Sequence, residues 1–148
     1  MEPKPNPGIP NCPQPPSRPP RILHVRAADR EAAKCLGPYQ ITSLIPVDDE
    51  AAATAYLVKI GPRELTAVSY HLVAEELYFV VEGSGVAILD GVEYELTPGD
   101  FLRLPPGVHH GFRTAETPLV MLDVHTPGSR PDRDVYFEGG SPPGFGAA

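Results

Sequence analysis

Two stretches of the chain concentrate side chains that can hold a metal ion or move a proton. The first begins Ser69-Tyr70-His71 and continues through Glu76 and Tyr78 to Gly83. The second runs from Gly99 through Pro105, Gly107 and His110 to Thr114. On an extended chain alternate side chains share a face, so Ser69 goes with His71, Glu76 with Tyr78, and His110 with Thr114. Imidazole and carboxylate are the donors that first-row divalent metals accept, provided a fold brings the three faces together. Tyr78 reads equally as core packing with a satisfied hydroxyl or as a catalytic proton donor. Glu76 inside a fold is costly without a cation or a hydrogen-bond partner. A one-residue slip would exchange it with Glu75, which otherwise points outward. His109 is expected to point out, and His24 to lie at the surface. His125 alternates with Val120, Leu122 and Val124, so it faces away from them and carries no assigned role. Arg103 and Arg113 read as solvated surface charge, and Gly83, Gly99 and Gly107 as turn residues.

The elements around these segments have period 2. Residues 39–45, 55–60, 65–71, 75–82, 85–89, 92–96, 101–104, 109–114 and 119–125 all read as strands. Short turns divide them, such as Gly61-Pro62, Pro98-Gly99 and Pro106-Gly107. Asp90-Gly91 joins Val-Ala-Ile-Leu to Val-Glu-Tyr-Glu-Leu, a two-residue hairpin signal, since both residues tolerate positive φ. There is no room for crossover helices, so the strands are expected to form an antiparallel sandwich or barrel. Residues 22–25 suggest a further short strand. Residues 28–36 suggest a short helix, with Asp29 at its start, Ala32, Ala33 and Lys34 as helix formers, and Gly37-Pro38 as its stop. Cys35 then packs on the apolar side of that helix. Residues 46–54 are ambiguous between loop and one helical turn.

The two segments resemble the paired motifs of the cupin superfamily. His71, Glu76 and Gly83 fit the first motif, with Ser69 where its first histidine stands. Gly99, Pro105, Gly107 and His110 fit the second, with Thr114 where its asparagine stands. The resemblance covers about residues 57–126. It implies an all-β fold, an antiparallel jelly-roll barrel, here with a short N-terminal helix and a Pro-rich N-terminal arm. It also implies a divalent metal held by His71, Glu76 and His110. Iron is the first expectation, because two histidines and one carboxylate are a signature of non-haem iron sites; manganese, nickel and zinc are the others. Ser69 and Thr114 become contacts for water or substrate, and the missing histidine leaves an open coordination position. The activity implied is an oxygen-dependent dioxygenase working on a small organic molecule. A non-redox isomerase, cyclase or lyase is the alternative, as is a barrel that binds a sugar-like ligand without reacting it.

Composition narrows the field further. The chain has 148 residues, a formal charge of −7 and a pI near 5.1. An acidic chain lacks the basic face that nucleic acid or an anionic membrane requires, so neither is expected as a partner. The longest apolar run is the five residues from Leu77 to Val81, against roughly 20 for a transmembrane helix. Met-Glu-Pro-Lys-Pro carries no apolar signal region. The expectation is a cytoplasmic protein with a small-molecule substrate, paired through exposed strand edges into a homodimer. Cys12 and Cys35 make no disulfide framework and match no metal clip. Nine of the 20 prolines fall in residues 1–20, which therefore read as an extended or disordered arm. The barrel domain is assigned to 21–126. Residues 127–148 are a Pro/Gly-rich tail in which Asp134-Val-Tyr-Phe137 could dock back on the domain.

Overall fold

A computed structural model describes residues 21–47 and 52–145, together with Pro19 and Asp49. The Pro-rich arm, apart from Pro19, and Cys12 lie outside the described residues, as do Asp48, Glu50 and Ala51 of the 46–54 segment.

Eleven strands follow in chain order: β1 (Lys34–Leu36), β2 (Tyr39–Ser43), β3 (Thr54–Ile60), β4 (Ser69–Tyr70), β5 (Glu75–Gly83), β6 (Gly85–Leu89), β7 (Val92–Leu96), β8 (Phe101–Leu104), β9 (His110–Arg113), β10 (Leu119–Thr126) and β11 (Tyr136–Phe137). They form two sheets that face each other. One has the order β1-β2-β3-β10-β5-β8, the other β11-β4-β9-β6-β7, and every pairing is antiparallel. This is the jelly-roll arrangement expected from the period-2 pattern. Asp90 and Gly91 sit at φ 47° and 80°, and Leu89 pairs with Val92 across them, as the hairpin signal requires. Gly83 ends β5 at φ 80°. A side chain there would bring Cβ within 1.8 Å of the Pro118 carbonyl oxygen, so only glycine lets the chain pass.

The structure corrects several local expectations. Residues 28–36 do not form a helix. Among the described residues the helical piece is a 3-10 turn at Ala27–Asp29, and Lys34–Leu36 is strand β1. Gly37 (φ 58°) and Pro38 turn that strand back onto β2, so the residues that stop a helix here make a hairpin instead. Pairing with β2 outweighs the helix propensity of Ala and Lys, which tertiary context readily overrides. Cys35 is exposed rather than packed on the apolar side of a helix. Residues 22–25 make no strand, and 65–71 shortens to β4 plus an isolated bridge between Leu65 and Arg113.

The core lies between the sheets. Ile60, Ala87, Phe112, Leu119 and Met121 are fully buried, with Val58, Val80, Leu96 and Leu104 close behind. No helix among the described residues is long and apolar enough to cross a membrane. Residues 127–145 fold against the barrel rather than trailing from it. Tyr136 and Phe137 pair with Tyr70 and Ser69, and Phe145 packs edge-on against Tyr39 and Phe137.

Candidate metal centre

The register of three adjacent strands sets the site. Thr54 on β3, His125 on β10 and Glu76 on β5 lie side by side, and the next inward row is Tyr56, Asp123 and Tyr78. The facing sheet contributes Ser69 on β4 and His110 on β9, which pair with each other. His71 follows β4. All of these side chains are buried; Glu76 is only 2% exposed.

Glu76 is the hub. Its Oε2 lies 2.9 Å from His110 Nε2 and 3.1 Å from His71 Nε2, and its Oε1 lies 3.0 Å from His125 Nε2. The backbone fixes the tautomers of the first two rings. His71 donates its Nδ1–H to the Asp134 carbonyl at 2.5 Å, and His110 donates its Nδ1–H to the Val108 carbonyl at 3.1 Å. Each neutral ring therefore turns an Nε2 lone pair towards a carboxylate oxygen. Three acceptors that converge in a buried space require positive charge among them, a proton on a ring or a metal ion. This donor set fits a divalent metal: two imidazole nitrogens and one carboxylate oxygen, each ring oriented by a backbone partner through its other nitrogen. Ser69 donates its hydroxyl towards His110 Nε2 at 3.3 Å, beside the same focus.

The electrostatics show the same demand for positive charge beside Glu76, which protons on the imidazoles meet where no metal is bound. Burial pushes the Glu76 carboxyl up, but the surrounding imidazoles, His110 foremost, outweigh it and hold it well below its ordinary range, so Glu76 is ionised. Burial pulls His71 down, and Glu76 together with the Asp134 carbonyl more than restores it, leaving a net rise. Burial pushes Tyr78 well above its usual value, reinforced by Asp123 and Glu76, so the phenol keeps its proton. Asp123 is likewise raised well above the carboxylate range by burial and by Glu76.

His71, Glu76, Tyr78, Ser69 and His110 thus come together, as the two sequence segments suggested. Thr114 does not join them. Its hydroxyl donates to the Gly61 carbonyl at 2.5 Å and accepts the Glu64 amide at 3.0 Å, so it ties the turn after β3 to the chain beyond β9. The contact with water or substrate expected of Thr114 is therefore corrected. It stands two residues past Phe112, at the packed end of the barrel, and its polar groups are spent on backbone. Glu75 points outward and pairs with Arg103, and Arg113 pairs with Glu93. His109 is partly exposed, stacks on Tyr70 and meets Glu138.

Four residues at the site went unassigned in the sequence. His125 and Asp123 face inward on β10. The sequence does place His125 opposite Val120, Leu122 and Val124, but it is this opposite face, shared with Leu119 and Met121, that lines the barrel. Both faces of β10 are apolar in sequence, so alternation alone does not say which is inner. Ser129 and Asp134 come from the tail. The Asp134 carboxylate accepts the amides of Leu72, Val73 and Ala74, and its carbonyl holds His71. Ser129 is knitted to β3: its amide donates to Thr54 Oγ1, and its carbonyl accepts from Thr54 and from the Tyr56 hydroxyl. No short motif marks either residue.

A narrow cleft, open to solvent at its mouth, lies over Glu76. Its polar floor is the histidine cluster. Its walls are largely aromatic, with Tyr39, Tyr56, Tyr78, Phe137 and Phe145, and the tail supplies much of the rim.

Comparison with known proteins agrees with this architecture. The cupin-domain family model matches residues 56–125. An uncharacterised protein of Methanocaldococcus jannaschii is 30% identical over 81 residues, which are 53% of this chain and 63% of that protein. Quercetin 2,3-dioxygenase of Bacillus subtilis is 36% identical over 69 residues, 46% of this chain but 20% of the enzyme. The chain therefore spans less than two thirds of either relative. Among solved structures, the polyketide cyclase RemF from Streptomyces resistomycificus superposes with a TM-score of 0.69 at 25% identity, over 82% of this chain and 88% of RemF. Residues 56–125 thus match the cupin-domain model and the two-sheet barrel has the cupin fold, with buried His/Glu groups that can bind a metal.

Proposed function

We propose that this protein is a divalent-metal enzyme acting on a small, largely apolar organic molecule, and that its reaction is an oxygen-dependent dioxygenation. The observation that carries the proposal is the convergence of two backbone-oriented imidazole lone pairs on one carboxylate oxygen at the floor of an aromatic cavity. Iron is the proposed metal, and a bound Fe(II) would supply the oxygen chemistry that side chains alone do not provide. The residues of the chain do the rest. His71, His110 and Glu76 would hold the ion. Tyr78 keeps its proton and presents a hydrogen-bond donor to a substrate oxygen. The aromatic walls take a flat or apolar substrate and exclude water, and the tail from Arg130 to Phe145 narrows the entrance. The sequence likeness to quercetin 2,3-dioxygenase supports this reading and supplies a first probe, quercetin.

A second reading is a non-redox cyclisation. The likeness to the polyketide cyclase RemF favours it, because it extends over most of both chains, whereas the dioxygenase likeness covers a fifth of that enzyme. In that case a bound ion would supply Lewis-acid chemistry, and Tyr78 or Glu76 would move protons.

The test is metal analysis by plasma mass spectrometry of protein purified without an affinity tag, followed by oxygen-electrode assays with quercetin. Iron bound near one or more equivalents, with oxygen uptake lost in His71→Ala and His110→Ala, is the expected result. Turnover that survives strict anaerobiosis and replacement of Fe(II) by Zn(II) would move the assignment to the cyclase reading. A folded protein that takes up no divalent metal would leave a ligand-binding barrel.

A further inference from the structure

The cleft over Glu76 has a guanidinium in its lining that the metal centre does not use. Arg130 stands on its rim, half buried, in the tail beyond the stretch that matches the cupin-domain model. A second depression, between β1, β2 and the tail, shares Ile41, Tyr56, Arg130 and Pro131 with the cleft, so Arg130 sits where the two meet. Its charge reaches the Tyr56 phenol, which burial pushes up and Arg130 draws back.

Arg21, Arg63, Arg103 and Arg113 pair with carboxylates. The Arg130 guanidinium pairs with none among the described residues. The acids in the cleft lining face elsewhere, Glu76 towards three imidazoles and Asp123 towards His125. Arg133 is also without a carboxylate, but it is exposed, lies outside the cleft lining and reaches back to the Gly128 carbonyl. The backbone that carries Arg130 is pinned. Ser129 before it is buried and bonded to Thr54 through both its amide and its carbonyl. Arg130 itself exchanges two backbone hydrogen bonds with Arg133 across Pro131-Asp132. A cation on a fixed anchor loses less freedom when it takes up a partner. The chain as a whole has a formal charge of −7, so no general field draws an anion to it, and any preference for one has to be local.

We propose that the substrate carries a carboxylate and that Arg130 is the specificity residue that receives it at the mouth of the cleft, with the rest of the molecule between the aromatic walls. The inference rests on the reading of this cleft as the substrate site, and it narrows the substrate class to a flat, apolar carboxylic acid. A guanidinium presents two parallel N–H donors that match the two oxygens of a carboxylate, and the charge on both partners strengthens the bonds. The metal-binding side chains come from the barrel and the selecting residue from the tail. Substrate choice is thereby separated from the metal site, as expected where one fold hosts many activities.

Calorimetric titration with 2-naphthoate and with its neutral counterpart 2-naphthamide tests the proposal, on the protein as purified and again after EDTA treatment. Wild type is expected to bind the acid roughly tenfold more tightly than the amide, the size of one charge-assisted hydrogen-bonded pair, in both preparations. Arg130→Gln should weaken the acid to the level of the amide and leave the amide unchanged. Arg130→Lys should restore part of the preference, and Arg133→Gln should keep all of it. A preference that survives Arg130→Gln and vanishes with EDTA would seat the carboxylate on the ion; the metal reading would stand and the role of Arg130 would fall. A preference lost equally in Arg130→Gln and Arg133→Gln would reflect the diffuse charge of the tail and would also overturn the proposal. Equal binding of the two compounds by wild type, or binding of neither, would do the same. Protein that holds no metal yet shows a preference confined to Arg130 would keep the carboxylate seat and sink the metal reading.

Discussion

At one end of the barrel β3, β10 and β5 present Thr54, His125 and Glu76 in a row across the sheet; two rows further along, the same strands present Val58, Met121 and Val80. Between them lies a row of mixed character, Tyr56, Asp123 and Tyr78. The facing sheet repeats the gradient on β9, from His110 to Phe112. Burial is nearly complete at both ends, so the two differ in chemistry and not in access to water. At the packed end burial of Ile60, Phe112, Leu119 and Met121 supplies hydrophobic stabilisation. At the site end the same degree of burial places a carboxylate and several imidazoles where they are costly unless paired. The backbone geometry is shared, and what changes along each strand is the sequence. A barrel of this kind can therefore carry an expensive site at one mouth because the other end holds the strands together.

If that division is real, the largest effect on stability lies at the packed end. Phe112 is fully buried, sits edge-on to Tyr78 and pairs across β6 with Ala87. Phe112→Ala should cost about 3–5 kcal/mol in chemical denaturation. Metal uptake per folded molecule should stay near wild type, which mass spectrometry of the native fraction checks. A loss of metal in step with stability would show that the two ends are not separable.

Glu76→Gln asks the opposite question. The carboxamide keeps the shape of the side chain and removes the buried charge. Its NH2 group can donate to the lone pairs that His71 and His110 turn towards it. Because a carboxyl held below its ordinary range stabilises the fold where it is ionised, the metal-free variant should melt somewhat below metal-free wild type near neutral pH, while metal affinity falls at least a hundredfold. Calorimetry in EDTA beside metal titration reads both quantities. A large drop in stability would mean that Glu76 is as structural as Phe112.

Asp134 joins the two roles. Its carboxylate satisfies the amides of Leu72, Val73 and Ala74, and its carbonyl orients His71. It also sits at φ 59°, a left-handed conformation that Asp tolerates better than most residues with a side chain. Asp134→Ala frees three amide donors in a turn that is partly exposed, so water recovers part of the loss. The expected cost is about 1–2 kcal/mol, with metal affinity lowered about tenfold to a hundredfold through a looser His71. Asp134→Asn retains an acceptor for those amides and should restore much of the stability. Recovery of stability without recovery of affinity would show that the two roles are separate.

How far the site could be read in the sequence depended on how local each residue's signal is. His71, Glu76 and His110 sit in short segments with glycine and proline at fixed distances, and the turns that those residues demand are the turns that form. Asp90-Gly91 specified its hairpin for the same reason. The helix expected over 28–36 rested on propensity alone, which strand pairing readily overrides. His125 and Asp123 were lost because β10 is central in its sheet. Its two faces are both apolar, and parity without an anchor does not distinguish inside from outside. Asp134 reaches His71 across 63 residues, a contact that only the folded chain displays.

The smallest effect belongs to the residue beside the hub. Glu75 and Glu76 are adjacent, and the register of β5 alone decides which enters the barrel. Glu75 lies on the outer face with Arg103, its carboxyl held below the ordinary range by that guanidinium, in a pair open to solvent. Solvent-exposed pairs of this kind contribute little, because water and salt screen them and two long side chains must be ordered to make them. Glu75→Gln should leave metal content, metal affinity and the melting transition unchanged within error, in the same assays that register Glu76→Gln strongly. The two variants differ by one position and remove the same charge, so the contrast measures burial and convergence alone. If Glu75→Gln removed the metal and Glu76→Gln did not, β5 would be shifted by one residue. Every inward row of the barrel would then have to be redrawn.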